Sequence, residues 1–221
     1  MCGRFSLTQS VEALAEAFQL DALPEWTPRY NIAPTQAIAA IAALPSQPPQ
    51  MRLLRWGLVP SWSKDLAIGA KLINARAETV AEKPSFRAAF KQRRCLILAD
   101  GFYEWQRLDR KTKQPYYFRL NSARPFAFAG LWERWQGDDN VVETCTILTT
   151  QANELLQPVH DRMPAMLAPE QYDQWLDATT PAVLLHQLLH PYPASAMQSY
   201  PVSTTVNSPM HDTPECVKPQ R

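Results

Sequence analysis

The chain has 221 residues, 46% of them hydrophobic and 19% charged, and its 22 Lys and Arg residues nearly balance 21 Asp and Glu residues. This composition excludes disorder as the main state, and the sequence has no run of about 18 apolar residues that would cross a membrane. The first ten residues contain no apolar segment typical of a secretory signal, so we expect a cytoplasmic protein.

The cation and cysteine contents limit the kinds of site that the chain can form. Because 15 of the 22 cations are Arg, a local phosphate-binding groove is compatible with a net charge of only +1. The four cysteines lie far apart without a CxxC pair, which excludes zinc-ribbon and thioredoxin motifs and argues against a disulfide scaffold. The GxGxxG, GxxxxGK and HExxH motifs are absent, so we expect neither a metal nor an organic cofactor.

Hydrophobic periodicity predicts an N-terminal helix followed by a series of short strands. Residues 8–20 have apolar positions at helical spacing, with Thr8 or Ser10 as the cap. Turn signals at 109–114 and 137–140 predict hairpin connections. Strands are predicted at 37–43, 51–58, 94–106, 115–121, 125–134 and 142–150. Further helices are predicted at 85–93, 152–157, 169–176 and 181–189.

The order of these elements indicates the fold class. The strands follow one another through hairpins and do not alternate with helices, which favours an antiparallel sheet over a parallel doubly wound one. The sequence has no internal repeat and no Ser/Gly linker. We therefore predict an α+β fold, a single compact domain over residues 1–221 with an antiparallel, barrel-like β core flanked by helices. The polar, Pro-containing residues 206–221 are predicted to form a loosely ordered tail.

Cys2 is the first candidate for chemistry. Its side chain is small, so a cellular aminopeptidase can remove Met1 and leave Cys2 as the N-terminal residue. The α-amine then has an ordinary pKa of about 7.7–8.0 and the thiol one of about 8.5, so both are partly nucleophilic near neutral pH. Such a pair can condense with an aldehyde and close a five-membered thiazolidine ring. The alternative is that Cys2 is an ordinary structural residue.

A polar face is predicted on the segment LINARAET. If the segment is extended, Asn74, Arg76 and Glu78 point to one side and Ala75 and Ala77 to the other. Arg76 can then bind a phosphate or carboxylate, while Asn74 donates and accepts hydrogen bonds. A solvated strand edge produces the same pattern, so both interpretations stay open here.

A carboxylate among aromatic residues follows in the segment DGFYEW. Glu104 lies between Tyr103 and Trp105, and partial desolvation there raises the pKa of a carboxyl group and suits it to proton transfer. The alternative is a surface Glu on a strand whose neighbours belong to the core.

The segment VHDRMP contains a candidate acid or base. His160 is suited to proton transfer near neutral pH, Asp161 can fix its tautomer, and Arg162 can bind a phosphate. A structural histidine is the alternative.

Two tryptophans lie beside cations in the segment RWGLVPSW. An exposed Trp next to a cation is typical of single-stranded nucleic-acid binding, because bases stack on the ring. We expect Trp56 to be a core residue, whereas Trp62 follows Pro60 in a predicted loop and is the better stacking candidate.

Taken in chain order, these segments point to a known family. MCGRF, RYNIAPTQ, RWGLVPSW, INARAET, DGFYEW and VHDRMP resemble the motifs of the SRAP family, the SOS-response-associated peptidases that cross-link abasic sites in single-stranded DNA. The matching segments lie within residues 1–164. The resemblance implies a barrel-like α+β domain with a positively charged groove leading to the N-terminus. It further implies binding of abasic single-stranded DNA. We expect a monomer without a membrane partner and, because the sequence has no basic nuclear-targeting run, a location in the bacterial cytosol.

The resemblance also implies roles for individual residues. Cys2, after loss of Met1, forms a thiazolidine with the ring-opened aldehyde of the abasic site. Glu104 moves protons during sugar opening and imine formation and takes part in removing Met1. His160 assists the imine chemistry and its reversal, and Asn74 holds the opened sugar or the chain near Cys2. DNA contacts are expected from Arg4, Trp62, Arg76 and Arg162.

One position departs from the family pattern. Many members have a second aromatic residue directly after the loop tryptophan, and here that position is Ser63. A stacked base is worth about 1–3 kcal/mol, so we expect weaker DNA binding but intact chemistry.

Three other functions are compatible with parts of the sequence. Glutamine amidotransferase domains also begin Met-Cys-Gly, which suggests an N-terminal-nucleophile amidohydrolase. A peptidase acting in trans would use Cys2, His160 and a carboxylate as a triad. A non-covalent module for single-stranded DNA would need no reactive Cys2.

Overall fold

The computed structural model describes residues 2–20, 25–43, 48–137 and 140–220. The α-helices are α1 (Val11–Phe18), α2 (Arg87–Gln92), α3 (Tyr172–Leu176) and α4 (Ala182–Leu188). The strands are β1 (Phe5–Leu7), β2 (Arg29–Ile32), β3 (Ala37–Ala42), β4 (Gln50–Trp56), β5 (Asn74–Arg76), β6 (Arg94–Ala99), β7 (Gly101–Arg107), β8 (Lys113–Leu120), β9 (Phe126–Gln136), β10 (Val141–Gln151), β11 (Arg162–Pro164), β12 (Met166–Leu167) and β13 (Met197–Pro201). Short 3₁₀ helices cover Leu66–Lys71, Pro169–Gln171, Ala194–Ala196, Thr204–Asn207 and Pro214–Val217.

Five strands close into a barrel at the centre of the domain. The pairing runs β10–β4–β3–β6–β9 and returns from β9 to β10. Four of these pairs are antiparallel and the β10–β4 pair is parallel. The strand segments are rich in Ile, Leu, Phe and Ala, whose side chains form one continuous buried core. Each fully buried large side chain contributes about 1.5–3 kcal/mol. The predicted barrel-like α+β fold is confirmed.

A second, antiparallel sheet packs against the barrel and carries the N-terminus. Its strand order is β13–β8–β7–β1–β2. The prediction of one strand over 94–106 is wrong in this respect, because the chain changes sheets between β6 and β7. Asp100 lies at this change of sheet, and its carboxylate accepts hydrogen bonds from Ser6 Oγ and from the amide and hydroxyl of Thr8, each at 2.6 Å. These bonds attach the crossing point to β1 and to the residue that follows it.

The helices differ from the predictions mainly in length. Ser10 caps α1 by accepting the Ala13 amide at 3.3 Å, and Gln19 ends it in the left-handed conformation at φ 52°. The helix predicted at 152–157 is wrong, since these residues form turns. The Leu156 amide donates to Oδ1 and to the carbonyl oxygen of Asn153 at 3.0 and 3.1 Å, the bonds of a turn and not the bond to the residue 152 carbonyl that an α-helix would make.

The tail is packed, which corrects the prediction of a loosely ordered segment. Val206 and Cys216 are fully buried, in a small cluster beside the second sheet. The Asp212 carboxylate accepts the amides of Tyr30 and Asn31 at 2.5 and 2.9 Å. Polar groups attach this segment to β2, and few of its apolar side chains contribute to the packing. A prediction from hydrophobicity alone therefore misses this attachment.

Two further properties concern the described residues as a whole. All four cysteines are free thiols and are buried. In the described part of the chain, no helix has the length and apolarity needed to cross a bilayer.

Candidate functional site

The segment before β1 holds Cys2 against the second sheet. The amide of Tyr103, in β7, donates to the carbonyl oxygen of Arg4 at 3.0 Å and so extends the β1–β7 pairing toward the N-terminus. The Cys2 thiol lies 3.8 Å from the same carbonyl oxygen, and Cys2 is buried. The position of Cys2 is therefore set by backbone pairing with the strand that carries Glu104.

Asn74 reaches Cys2 from the opposite side, at the end of a loop that leaves the barrel after β4. Gly57, at φ +123°, and Gly69 close the base of this loop, and a Cβ on Gly57 would lie 2.6 Å from the Gly69 carbonyl oxygen. Only glycine permits this approach. The loop then leads into β5, where Asn74 Nδ2 donates to the Cys2 carbonyl oxygen at 2.8 Å. The predicted proximity of Asn74 and Cys2 is thus present in the structure.

Glu104 is a buried carboxyl group beside Cys2. Only 4% of the residue is exposed. Burial, with a further contribution from the negative charge of Asp161, raises the pKa of Glu104 from 4.5 to about 7. The predicted desolvation is therefore present, but Tyr103 and Trp105 do not produce it, because neighbouring side chains of a strand point to opposite faces. The Glu104 carboxyl group can both donate and accept a proton near neutral pH.

The Cys2 thiol does not have the ordinary pKa assumed from the sequence. Burial raises the pKa of this thiol, and the nearby charge of Glu104 raises it further. The thiol is consequently protonated near neutral pH, which corrects the expectation that it is partly ionised. Any reaction of the sulfur must therefore include removal of its proton by a neighbouring base.

His160 precedes β11 and has a defined tautomer. Its Nδ1 accepts the Arg162 amide at 3.0 Å, so the neutral ring carries its proton on Nε2. The Asp161 carboxylate also lies 3.0 Å from Nδ1, but this contact is an ion pair only when the ring is protonated. Burial lowers the pKa of His160 and keeps the ring neutral near pH 7. The tautomer of the neutral ring is therefore set by the hydrogen bond from the Arg162 amide.

Arg162 binds a carboxylate within the protein. Its Nη1 and Nη2 donate to the two carboxylate oxygens of Glu78 at 2.6 and 2.9 Å, and Nη2 also donates to the Thr149 carbonyl at 2.6 Å. The Arg162 side chain is 11% exposed, whereas that of Glu78 is 47% exposed. The pair forms because β5 and β11 both flank the end of β10. The Arg162 guanidinium is thus enclosed by its hydrogen-bond partners and does not lie on the open surface.

Arg4 has a similarly enclosed position. Its Nη1 donates to Asn31 Oδ1 at 2.8 Å and to the Val206 carbonyl at 2.6 Å. The guanidinium carbon lies 5.9 Å from the centre of the Trp105 ring. Burial lowers the pKa of Arg4, although an Arg remains charged at neutral pH. Arg4 therefore joins the N-terminal segment to the tail.

The remaining two predicted DNA contacts are exposed. Trp62 is 61% exposed, in a turn that is held by the Trp135 indole N–H donating to the Ser63 carbonyl at 2.8 Å. Arg76 is exposed at the end of β5. Trp56, in contrast, is fully buried, as predicted.

The amino-acid sequence of the chain matches a known protein family. A sequence model of the SOS response associated peptidase (SRAP) family matches residues 1–209. The chain belongs to the SRAP family. The resemblance inferred from the six ordered motifs is thereby confirmed.

The relatives of this SRAP chain include named proteins and solved structures. It is 48% identical to the abasic site processing protein YoqW of Bacillus subtilis, with 99% of both chains covered. It is 32% identical to the abasic site processing protein HMCES of Xenopus tropicalis, over 87% of this chain and 66% of that protein. A crystal structure of a Bacteroides thetaiotaomicron protein superposes with a TM-score of 0.88 at 26% identity, with both chains fully covered. A phage-related protein of Bordetella bronchiseptica has a TM-score of 0.73 at 32% identity, covering 91% of this chain and 94% of that one.

The structure of this SRAP chain adds residues that the sequence did not single out. Asn31 is fully buried and donates from Nδ2 to the Val206, Ser208 and His211 carbonyls at 3.2, 3.0 and 2.6 Å. It belongs to the RYNIAPTQ motif, which is the signal that could have marked it. Glu78 was already placed on the polar face of LINARAET by the sequence, but its partner Arg162 is 84 residues away and was not foreseeable.

Proposed function

We propose that this chain processes abasic sites in single-stranded DNA and forms a covalent thiazolidine through Cys2 after removal of Met1. The relatives named abasic site processing proteins support the substrate class. The observation that carries the proposal is Glu104, a buried carboxyl group with a pKa of about 7 beside Cys2. Such a group supplies and removes protons where an amine, a thiol and an aldehyde must react in sequence.

The proposed reaction has two bond-forming steps. The Cys2 amine attacks the ring-opened aldehyde carbon, and water leaves to form an imine, with Glu104 protonating the departing oxygen. The Cys2 sulfur then bonds to the imine carbon, its proton passes through the Glu104 carboxylate, and the imine nitrogen takes up a proton. The product has the mass of protein plus DNA minus one water.

Thiol capture determines the fate of the DNA strand. An imine alone is an electron sink that promotes β-elimination and strand cleavage, as in a lyase. Ring closure by sulfur removes this sink and protects the strand. In this scheme Asn74 holds the N-terminal residue through its bond to the Cys2 carbonyl, and the neutral His160 ring donates from Nε2 during formation and reversal of the imine.

DNA binding is proposed for the exposed residues Trp62 and Arg76, which would stack on a base and pair with a phosphate. Arg4 and Arg162 would contact DNA only through the guanidinium atoms that their protein partners leave accessible. The chain is proposed to act as a cytoplasmic monomer. Removal of its own Met1 is part of the proposal, and so is lyase activity when the thiol is missing.

Intact-mass spectrometry with a single-stranded oligonucleotide carrying one abasic site tests this function. We expect loss of the Met1 mass and a heat-stable adduct of protein plus DNA minus water. Cys2→Ala keeps the small residue and the amine, so it should cleave the strand slowly and form no durable adduct. An oligonucleotide with a tetrahydrofuran in place of the abasic sugar has the same charge but no aldehyde, and serves as the control.

Other outcomes would identify a different function. A durable cross-link with Cys2→Ala would refute the thiazolidine. Binding without any adduct would indicate a non-covalent DNA-binding module. Release of ammonia from glutamine by the wild type, but not by Cys2→Ala, would indicate an amidohydrolase.

A further inference from the structure

The hairpin between β7 and β8 is strongly cationic. Four of the seven residues at 107–113 are Lys or Arg, and the only acid among them is Asp109. The four cations are Arg107, Arg110, Lys111 and Lys113, and all are exposed. They lie outside the six family motifs, and the chemistry proposed above does not use them.

The hairpin keeps like charges together. Arg107 and Lys113 are paired directly across the two strands, an arrangement that destabilises a sheet. Within the described residues, none of the hairpin cations forms an ion pair with a carboxylate. Such a concentration of positive charge attracts anions.

The Asp109 carboxylate binds backbone amides of the turn and does not pair with these cations. Its Oδ1 accepts the amides of Lys111 and Thr112, both at 2.7 Å. These bonds lower the pKa of Asp109 and hold the tight turn. The acid therefore shapes the tip of the hairpin and leaves an excess of three positive charges over its seven residues.

A groove adjoins the hairpin. It has a volume of about 390 Å³ and is lined by Trp105, Lys111, Lys113 and Asn207. The Trp105 indole N–H donates to Asn207 Oδ1 at 2.7 Å, which fixes the ring, and Trp105 directly follows Glu104 in β7. Neighbouring side chains of a strand point to opposite faces, so the Trp105 ring lies on the face of β7 opposite to Glu104. The groove has an aromatic wall, on which the Arg4 guanidinium also packs at 5.9 Å from the ring centre, and a cationic wall toward the hairpin tip.

We propose that the sugar-phosphate backbone of the DNA flanking the lesion lies in this groove and along the β7–β8 hairpin. The inference rests on the proposed function for the identity of the lesion. A cationic groove with an aromatic wall is the combination that single-stranded nucleic acid favours. From Glu104 to Arg107 the strand spans about 10 Å. The hairpin therefore contacts nucleotides that flank the lesion and not the lesion itself.

The test uses a double variant, Lys111→Ser with Lys113→Ser, in the full chain. A matched control, Lys91→Ser with Arg124→Ser, removes two exposed cations from α2 and from the loop after the far end of β8. Fluorescence anisotropy measures binding of tetrahydrofuran-containing oligonucleotides of about 20 and about five nucleotides over a range of salt, which separates flank contacts from lesion contacts.

The expected result depends on the length of the oligonucleotide. With the longer one, the hairpin variant should bind at least about tenfold more weakly at about 50 mM salt, and the slope of log K against log salt should become shallower by about 1.4. With the shorter one, centred on the lesion, both variants should bind like the wild type. Equal affinity and slope for the hairpin variant and the wild type on the longer DNA would overturn the inference. So would an equal loss in the control variant.

Adduct formation with the abasic oligonucleotide is measured in parallel and separates the two proposals. If the wild type forms no adduct but binding still depends on the hairpin, the proposed chemistry fails and the DNA surface stands. If adducts form at the same rate with and without the hairpin lysines on the longer DNA, the surface fails and the chemistry stands.

Discussion

Replacing Glu104 by Gln should stabilise the fold above neutral pH while slowing the reaction. The folded protein raises the pKa of this carboxyl group from 4.5 to about 7. At about 1.36 kcal/mol for each pKa unit, that difference corresponds to about 3 kcal/mol. Because Glu104 is almost fully buried, solvent screening removes little of this cost. A neutral Gln of similar shape does not carry it.

The pH dependence has a definite sign. As the pH rises through 4.5 the unfolded chain loses this proton, whereas the folded chain keeps it until about pH 7. In that window the unfolded state binds fewer protons, so the contribution of Glu104 to stability falls as the pH rises and is constant above it. The stability of Glu104→Gln relative to the wild type should therefore increase by about 3 kcal/mol from about pH 4 to about pH 8.

Urea unfolding of both proteins across this range measures the difference directly. Glu82→Gln, at an exposed position, controls for the loss of one negative charge. The rate of adduct formation, measured on the same samples, should fall by about a hundredfold in Glu104→Gln, the usual contribution of a general acid–base group. A stability difference between Glu104→Gln and the wild type that is constant with pH would refute the account of Glu104 as a desolvated carboxyl group.

Two further predictions concern positioning and packing. Glu78→Gln removes the carboxylate that holds Arg162, and the Arg162 amide fixes the His160 tautomer. Adduct formation should therefore slow about tenfold. The free energy of unfolding in urea should change by less than about 1 kcal/mol, because Glu78 is half exposed. An unchanged rate would contradict this positioning role. Gly101→Ala places a Cβ 2.1 Å from the ring and hydroxyl of Tyr117, and should lower the free energy of unfolding by about 3 kcal/mol. A loss below about 1 kcal/mol would show that the ring moves aside easily.

The local features of the site were accessible from the sequence. Cys2, Asn74, Glu104 and His160 lie in short motifs whose residue types restrict the chemistry, and the order of the motifs indicated the family. The barrel followed from the strand pattern, because apolar β segments joined by hairpins have few other ways to bury their side chains. The exposure of Trp62 followed from its position after Pro60.

The partners of the arginines were not accessible in the same way. Arg162 meets Glu78 only because two strands flank the end of β10, and Arg4 meets Val206 across 202 residues of chain. The sequence describes both arginines correctly as cations but cannot say which anion or carbonyl reaches them first. The break at Asp100 was missed for a related reason, since its hydrogen-bonding partners lie more than 90 residues earlier.

The bond from Arg4 to the Val206 carbonyl has a consequence for biosynthesis. Ribosomes make proteins from the N-terminus, so Cys2 and Arg4 emerge first and Val206 is added about 200 residues later, at about 5–20 residues per second. Between about 10 and 40 seconds therefore separate the appearance of Cys2 from completion of the surface that supports it. During that interval the nascent chain carries an ordinary cysteine, and the buried environment of Cys2 forms only when synthesis of the domain is nearly finished.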